Sequence, residues 1–329
     1  MENHAADART QPLAWQAIFM RFDITALSHD ETTEARALFS SVFDHLIRAE
    51  QWGWKYAQGP RLGSINLVAR TPAGELIGHI GCVLFPGIFN GQPLVFAQAC
   101  DVMVSRHVRG GLDANGVYAQ LIKALQQALR ERVGDVFAYG FPGVRPFKLG
   151  ERMGFYRRLY PVHSSRFDQG NAENLGLQTL TIAPADWNCA RLDVIWKRLA
   201  SHQKTPVLAR TGEYLLWRYA THPERSYRLW VLKRFWKDIG WLVTSSMPDR
   251  EEVIVDSLVP QQITIDSACN MLWQKLKGAQ QPVTAIVHWL GPCSQSTQAN
   301  GIIAGELQVG LWHTHFPDPR FQPGDTDVF

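Results

Sequence analysis

The segment that begins at Arg109 has the composition of a phosphate-binding turn. It reads Arg109-Gly110-Gly111, continues through a short polar stretch, and reaches Gly116 just before a pattern typical of a helix. Glycine lets backbone N–H groups approach a ligand closely, and a helix start adds unpaired N–H groups at the positive end of a dipole. Arg109 adds a permanent positive charge. These features suit a pyrophosphate, although a glycine-rich turn without a ligand fits the same residues equally well.

Two common glycine-loop motifs are absent from the sequence. It contains neither GxxxxGK[ST], typical of nucleoside-triphosphate loops, nor a GxGxxG that opens an early strand–helix–strand unit. The turn belongs instead to a series made of a hairpin, a strand with Asp101, the Arg-Gly turn, a helix, a further strand and Gly154-Phe155. This order of elements favours the reading with a bound phosphate.

Three other side chains are of types that can transfer protons. Asp101 lies within an apolar strand, where an unpaired carboxylate is costly. It is therefore either a base or a structural acceptor, and we favour the structural role, although buried acids also cluster at active sites. His79 and Tyr139 lie on predicted strands, where such residues are more often packed and hydrogen-bonded than catalytic. Trp52, in EQWGWKY, is the aromatic residue that we expect to contact a ligand.

A repeated element divides the chain into two halves. Residues 54–57 (WKYA) and 217–220 (WRYA) both fit W-[KR]-Y-A-x-x-P, with their tryptophans 163 residues apart. After each copy come a strand, a tight turn and a strand, then a strand with an internal acid (Asp101 or Asp256), a helical pattern and a short strand. We interpret this order as a tandem duplication, with an α+β fold in each half and a boundary in the polar stretch after residue 162.

Composition excludes several classes of protein. The chain has 329 residues, 46% of them hydrophobic, which is enough for two domains with their own cores. A net charge of +3 without a dense basic run gives no case for nucleic-acid binding. Five dispersed cysteines fit reduced thiols, and no metal site is expected because His313 and His315 have no third ligand nearby. With neither a signal peptide nor a membrane span in the sequence, we expect a cytoplasmic protein.

These features resemble the GNAT N-acetyltransferase superfamily, whose fourth strand ends in V-x-P-x-x-R-G-x-G. Here Met103, Ser105, Arg109 and Gly110 occupy the V, P, R and G positions. The later PGVRPFKLGERMGFY resembles the superfamily's closing segment, in which a helix ends at a Gly-Phe pair. The W-[KR]-Y elements and the terminal GDTDVF further resemble bacterial tandem-GNAT proteins.

The resemblance implies two tandem GNAT-like domains, each a mostly antiparallel mixed sheet flanked by helices. Residues 1–165 would form the acyl-CoA-binding domain, and residues 166–329 a degenerate GNAT-like domain. The implied co-substrate is acetyl-CoA or another acyl-CoA, and no metal is implied. The residues implied to bind it are Met103, Val104, Arg109, Gly110, Gly111, Asn115, Gly116 and Val117.

The implied reaction is direct attack of an amine on the acyl thioester. The acceptor would be a small-molecule amine, an amino sugar or a peptide. Under this reading His79, Asp101 and Tyr139 are the candidate catalytic residues, and Trp52 is the candidate contact to the acceptor.

The sequence departs from the family pattern in three places. The residues GLDAN lengthen the loop before Gly116. Gly150 stands where the family often has a tyrosine that serves as acid to the departing thiolate. The second half has residues 261–263 (QQI) in place of the Arg-Gly turn, so we expect it to have lost the phosphate site and to shape the acceptor cleft.

Two other functions stay open at this point. A Fem-type aminoacyl-tRNA-dependent peptidyl transferase also pairs two GNAT-like domains, but the Arg-Gly turn and the absence of a basic run stand against it. A non-catalytic CoA-sensing or scaffold protein is favoured by Gly150 and the altered loop.

Overall fold

One continuous β-sheet runs through both halves of the chain. The computed structural model describes residues 21–59, 61–109, 113–134, 136–168, 179–278, 282–290, 299–307 and 317–326. The first half contributes β1 (Asp23–Ala26), β2 (Gly63–Arg70), β3 (Leu76–Phe89), β4 (Gln92–Val104), β5 (Phe137–Gly140) and β6 (Tyr156–Phe167). The second contributes β7 (Leu180–Ala185), β8 (Val207–Leu208), β9 (Arg228–Arg234), β10 (Lys237–Ser246), β11 (Glu251–Leu258), β12 (Ala285–Trp289) and β13 (Ala299–Leu307). Their order is β1-β2-β3-β4-β5-β13-β6-β12-β11-β10-β9-β7, with β8 paired to β3.

Helices cover the sheet on both sides. They are α1 (Thr32–Phe43), α2 (Ala49–Ala57), α3 (Val117–Arg132), α4 (Val144–Arg152), α5 (Cys189–Ala200), α6 (Gly212–Leu215) and α7 (Ile265–Leu276). A π-helical turn, Leu216–Ala220, follows α6 and contains the second W-[KR]-Y element. The apolar residues of α3 recur at three- and four-residue spacing, so one face is buried against the sheet. Arg130 and Arg132 lie in its last turn, where the helix dipole favours positive charge.

The two halves have matching strand arrangements. Strand β4, which holds Asp101, is antiparallel to β3 and parallel to β5. Strand β11, which holds Asp256, is antiparallel to β10 and parallel to β12. The predicted α+β fold class, with two halves of like strand arrangement, is confirmed.

Each half completes its sheet with a strand from the other half. Strand β13 of the second half lies between β5 and β6, antiparallel to both. The last four residues of β6 pair in turn with β12. The predicted domain boundary between residues 165 and 166 falls within this shared strand, and it stays a prediction.

The two W-[KR]-Y elements meet at the centre of the molecule. The indole N–H of Trp54 donates to the carbonyl of Trp217 over 2.9 Å, and the indole N–H of Trp217 donates to the carbonyl of Trp54 over 3.1 Å. The two rings are stacked, with centroids 4.9 Å apart. Both lie in a hydrophobic core that draws residues from both halves. Two further cores lie under α3 and α4 and under α7.

Candidate active site

Strands β4 and β5 diverge beside the start of α3. Their parallel pairing runs from Phe96 and Phe137 to Gln98 and Tyr139, while β4 continues to Val104. Gly140 lies where the strands separate, and a Cβ placed on it would be 3.3 Å from the carbonyl oxygen of Ala99. The glycine thus lets the two backbones approach closely at the end of their pairing. Beyond it β4 continues to Val104 without β5 beside it, and a divergence of this kind is what an extended ligand arm requires.

The backbone of β4 presents polar groups to this opening. The Ser105 N–H donates to the carbonyl of Ile77 over 2.8 Å and so points toward β3. Successive residues of a strand alternate the direction of their N–H groups, so the Val104 N–H faces the opening. Met103 pairs with His79 across the β3–β4 ladder, and its side chain is fully buried. Of these two predicted positions, Val104 is the one that offers its amide to a ligand.

The start of α3 is suited to an anion. Its N-cap is Gly116, which has no side chain to occupy the first N–H groups, and its first turn holds no acid. Within the described residues no side chain caps these amides, which begin with that of Val117, so their donors point toward the place that an anion would take. Just before the helix, the Asn115 N–H donates to Oδ1 of Asp113 over 2.8 Å. That exposed carboxylate places one negative charge close to the anion position.

Arg109 lies beside the same opening. Its Nε donates to the carbonyl of Val104 over 3.0 Å, which ties the side chain to the end of β4. The residue is exposed, so its charge is accessible to a ligand. Gly110 and Gly111, the other predicted loop residues, lie outside the described residues.

Asp101 is held as a buried ion pair. It lies at a β-bulge between β3 and β4 with φ of 49°, a backbone region that aspartate tolerates better than most residues. Lys55 Nζ is 2.7 Å from Oδ1, and the Tyr56 hydroxyl donates to Oδ2 over 2.6 Å. Burial alone would raise the pKa of Asp101, but Lys55 and Tyr56 outweigh it and the net shift is downward. The carboxylate is thus ionised and fully partnered, as a structural acceptor would be.

His79 and Trp52 surround this ion pair. The Nδ1 of His79 is 2.9 Å from the carbonyl oxygen of Asp101, and Nε2 is 3.2 Å from Oδ1 of Asn66. Burial lowers the pKa of His79, which favours the neutral ring. Trp52 is buried and packs on Tyr56 and His79, with centroid distances of 4.7 and 5.4 Å. The predicted ligand contact of Trp52 and the predicted catalytic roles of His79 and Asp101 stay predictions.

Tyr139 lies apart from the other two candidate catalytic residues. Its ring stacks on Phe321 at 4.5 Å, so the segment 317–326 covers it. Its hydroxyl is buried without a hydrogen-bond partner among the described residues, and burial raises its pKa. The structure therefore brings His79 and Asp101 together and leaves Tyr139 elsewhere in the core.

Tyr156, which the sequence analysis did not single out, lies at the opening. A Cβ placed on Gly150 would lie 2.1 Å from the ring of Tyr156, so that ring fills the place of a side chain at 150. The Tyr156 hydroxyl is 4.0 Å from the Cβ position of Gly140, at the divergence of β4 and β5. The Tyr118 hydroxyl is also near, at 2.9 Å from the Cβ position of Gly150, and burial raises its pKa to about 12. In the sequence, the feature that could have indicated this residue is a tyrosine two positions after Gly154.

The equivalent position in the second half is filled. Strands β11 and β12 pair only at their beginnings, from Glu251 with Ala285 to Val253 with Val287. Beyond that point Ser257 Oγ donates to Oε1 of Gln322 over 2.9 Å, and the segment 317–326 lies against β11. The remaining space is a cavity of about 10 Å³, at the lower limit for one water molecule.

Comparisons with known proteins agree with this geometry. Residues 23–159 match the model of the acetyltransferase (GNAT) domain family. The resemblance to the GNAT superfamily that the sequence indicated is confirmed over these residues. Comparison with curated protein sequences gives no significant match.

The GNAT similarity in structure extends over both halves. A GCN5-related N-acetyltransferase from Anabaena variabilis has a TM-score of 0.65 at 13% identity, covering 88% of this chain and 73% of that protein. One from Kribbella flavida has a TM-score of 0.63 at 13% identity, covering 87% and 70%. A tandem GNAT protein from the clavulanic acid biosynthesis pathway has a TM-score of 0.55 at 11% identity, covering 88% and 99%. At these identities the likeness concerns the fold.

The described residues contain neither a membrane-spanning helix nor a group of metal ligands. No described helix combines the length and apolar character needed to cross a membrane. Within the same residues, no three His, Cys, Asp or Glu side chains are grouped as metal ligands would be. His313 and His315 lie outside the described part of the chain.

Proposed function

We propose that the protein is an acyl-CoA-dependent N-acyltransferase, with acetyl-CoA as the simplest co-substrate. The observation that carries the proposal is the divergence of β4 and β5 after Gly140, beside a start of α3 that has no side-chain cap. When bound, acetyl-CoA supplies a thioester carbonyl that an amine attacks, giving an amide and a free thiol. The residues around the opening suit both ends of such a molecule.

The binding residues divide into two groups. Arg109 and the first amides of α3 would hold the pyrophosphate by charge and N–H donors. The Val104 N–H would donate to an oxygen that gains negative charge in the transition state. Orientation by these groups is the main contribution that we assign to the protein.

Tyr156 is the residue to which we assign the proton for the leaving sulfur. Its hydroxyl lies at the opening, and burial raises its pKa, so Oη holds its proton at neutral pH. A departing thiolate needs little acid help, because a free thiol has a pKa of about 8.5. The Tyr156 proton therefore supports the reaction without being indispensable.

A second candidate function rests on the acceptor side. The cavity between the halves is lined by residues that include Lys55, Cys100, Trp217 and Arg218, and its volume is about 20 Å³, room for about one water molecule. An amine acceptor would need the halves or the segment 317–326 to move. A CoA-binding protein without transferase activity would need no such movement, and this observation favours it as the alternative.

The test is calorimetry with CoA and acetyl-CoA, followed by thiol release with a panel of amines. We expect one site per chain, and a loss of about 100-fold or more in affinity for Arg109→Glu, since a carboxylate would face the pyrophosphate. Arg106→Glu is the matched control. It makes the same change of charge nearby, but Arg106 pairs with Asp44 at 2.6 Å and is not assigned to the pyrophosphate. It should change the affinity by less than about threefold.

The outcomes separate the functions. Absence of CoA binding, two sites per chain, or equal effects of the two substitutions would contradict the proposed site. Binding without transfer to any amine would favour the sensing function. Thiol release that depends on an amine and on Arg109 would support the transferase.

A further inference from the structure

The turn between β9 and β10 exposes two large aromatic side chains. Phe235 is 64% exposed and Trp236 is 83% exposed, and their ring centroids are 5.8 Å apart. Together these two residues form what we call the aromatic tip. Arg234 and Lys237 close the turn by pairing across it, and the Phe235 N–H donates to the carbonyl of Thr179 over 3.2 Å. The tip is thus a fixed projection at the β7 edge of the sheet.

The residues of the aromatic tip are poor choices for the turn itself. Phe235 has φ of 55°, in the left-handed region that favours glycine, asparagine or aspartate and that is a clear outlier for a bulky side chain. Burial does not offset this unfavourable backbone conformation, because the side chains of both tip residues face solvent. Backbone strain together with exposed aromatic surface indicates that the tip serves something other than folding.

Cations surround the aromatic tip. Lys233, Arg234 and Lys237 flank it in sequence. The nearest acid in sequence, Asp238, is bound by Arg191 through contacts of 2.6 and 3.1 Å. Arg198 also reaches this position, donating to the carbonyl of Asp238 over 2.8 Å. The flanking cations thus exceed the acid charge available to neutralise them.

The face of α5 next to the tip has the same character. Val194 lies three residues after Arg191 and four before Arg198, so it is on the same helix face, and it is 60% exposed. Lys197 and Arg198 are exposed as well. Apolar groups with cations around them therefore continue from the turn onto the helix.

We infer that the aromatic tip docks the protein on an anionic lipid bilayer. Trp and Phe at the point of a convex turn can enter the interfacial region of a bilayer, where Trp is enriched, while Lys and Arg remain among anionic headgroups. A projecting turn offers no groove for a small ligand or an extended peptide. Charge complementarity selects the anionic surface, because each Lys or Arg near such a surface strengthens binding severalfold.

The experiment is co-sedimentation of the full chain with vesicles. One set contains phosphatidylcholine only, and in the other part of it is replaced by phosphatidylglycerol. The wild type should bind the anionic set, and binding should weaken as salt is raised. Phe235→Gly combined with Trp236→Ser should reduce the partition coefficient about tenfold or more, because both large apolar side chains are lost.

The same double variant tests folding. Glycine accepts a positive φ without strain, so the thermal midpoint should stay the same or rise. Arg234→Gln combined with Lys237→Gln should lower partition to anionic vesicles by roughly 20-fold at low salt, at about fivefold per cation. Leu46→Ser removes a side chain that is 80% exposed elsewhere, and it should leave vesicle binding unchanged.

Several results would overturn the inference. They are equal binding to both vesicle sets, unchanged binding by the Phe235/Trp236 double variant, and an equal loss with Leu46→Ser. If heparin bound as tightly as the anionic vesicles and displaced them, the partner of the aromatic tip would be an acidic polymer instead. If light scattering showed that the wild type self-associates and that the double variant does not, the partner of the aromatic tip would be a second copy of the chain.

Discussion

The starts of α3 and α7 differ in how well they suit an anion. At α3 the N-cap is Gly116, without a side-chain cap and without an acid in the first turn. At α7 the N-cap is Thr264, whose Oγ1 accepts from the Ser267 N–H over 3.1 Å, and Asp266 adds a negative charge in the first turn. Among the described residues, the helix start of the first half thus has no side-chain cap, whereas that of the second half is capped and carries an acid.

The spaces between the parallel strands, β4 and β5 in the first half and β11 and β12 in the second, also differ between the two halves. In the first half β4 and β5 diverge after the pair formed by Gln98 and Tyr139. In the second half the segment 317–326 covers β11, and Gly324 packs so closely that a Cβ on it would be 1.9 Å from the Tyr219 hydroxyl. The strand arrangement is the same in both, so the halves differ here in filling and capping and not in topology.

The two central acids show what both halves retain. The Tyr56 hydroxyl donates to Asp101, and the Tyr219 hydroxyl donates to Asp256 over 2.8 Å. Because the contact between tyrosine and aspartate is also present in the second half, where the segment 317–326 covers β11, we interpret it as structural. Their cations differ, since Asp101 has Lys55 alone whereas Asp256 shares Arg210 with Asp325.

The largest effect should come from removing the shared cation. Arg210→Met would leave Asp256 and Asp325 buried and unpaired, at a cost of about 3–5 kcal/mol of unfolding free energy. Lys55→Met should cost less, because it leaves one carboxylate without its cation instead of two and because the Lys55 side chain is 13% exposed. Urea unfolding of both variants measures the difference.

The control is a variant that removes charge on both sides. Arg210→Met combined with Asp256→Asn should recover part of the loss, because only Asp325 then stays uncompensated. Equal costs for the Arg210 and Lys55 variants would contradict the difference that we assign to the two acid sites.

The next effect separates two buried tyrosines. Tyr156→Phe should lower kcat by roughly 10- to 100-fold, because it removes the phenol at the opening. Tyr139→Phe should change it by less than about threefold, since Phe321 covers that ring. Thiol release measures both.

Binding provides a readout for Tyr156 that is independent of turnover. Tyr156→Phe should weaken CoA more than desulfo-CoA, which lacks the sulfur. If both variants lowered kcat equally, or if the affinities for CoA and desulfo-CoA fell together, Tyr156 would have no specific role at the sulfur.

The succession of strands and helices along the chain and the start of α3 were accessible from the sequence because they depend on local patterns. Apolar spacing and turn residues predicted the hairpins, and Arg109 with Gly116 indicated the anion position. The repeat itself predicted that Asp101 and Asp256 would hold equivalent places, as they do.

The exchange of β6 and β13 was not accessible, because strand pairing over long sequence separations has no local signature. The same limit applies to Tyr156, whose ring takes the place of a side chain at Gly150 only after β6 packs against α4. It also applies to Phe321, which covers Tyr139 from a segment far along the chain. Contacts of this kind follow from tertiary packing.

A smaller effect should appear in the pH dependence of stability. The folded pKa of Asp101 is lowered, so its stabilisation is present above the unfolded pKa of about 3.9 and is lost as the pH falls through the folded pKa. The folded pKa of Asp256 is raised, because burial outweighs Arg210, so its ionisation costs stability as the pH rises above about 3.9.

Asparagine substitutions should therefore have opposite pH profiles. The destabilisation by Asp101→Asn should shrink as the pH is lowered toward about 3, and that by Asp256→Asn should shrink as the pH is raised. Urea unfolding across this range measures both. Parallel profiles would show that the two acids do not differ as their partners indicate.

The smallest effect concerns the one acid beside the anion position of the first half. Asp113 accepts the Asn115 N–H through Oδ1, and an asparagine oxygen can accept the same hydrogen bond. Asp113→Asn should therefore keep the turn while removing a negative charge near the start of α3. CoA affinity should rise about two- to threefold at low salt, and the gain should vanish at high salt because the site is exposed. Glu131→Gln removes the same charge from the other end of α3 and should leave the affinity unchanged. Calorimetry at two salt concentrations decides, and an equal gain from both variants would mean that net charge, not the position of Asp113, sets the affinity.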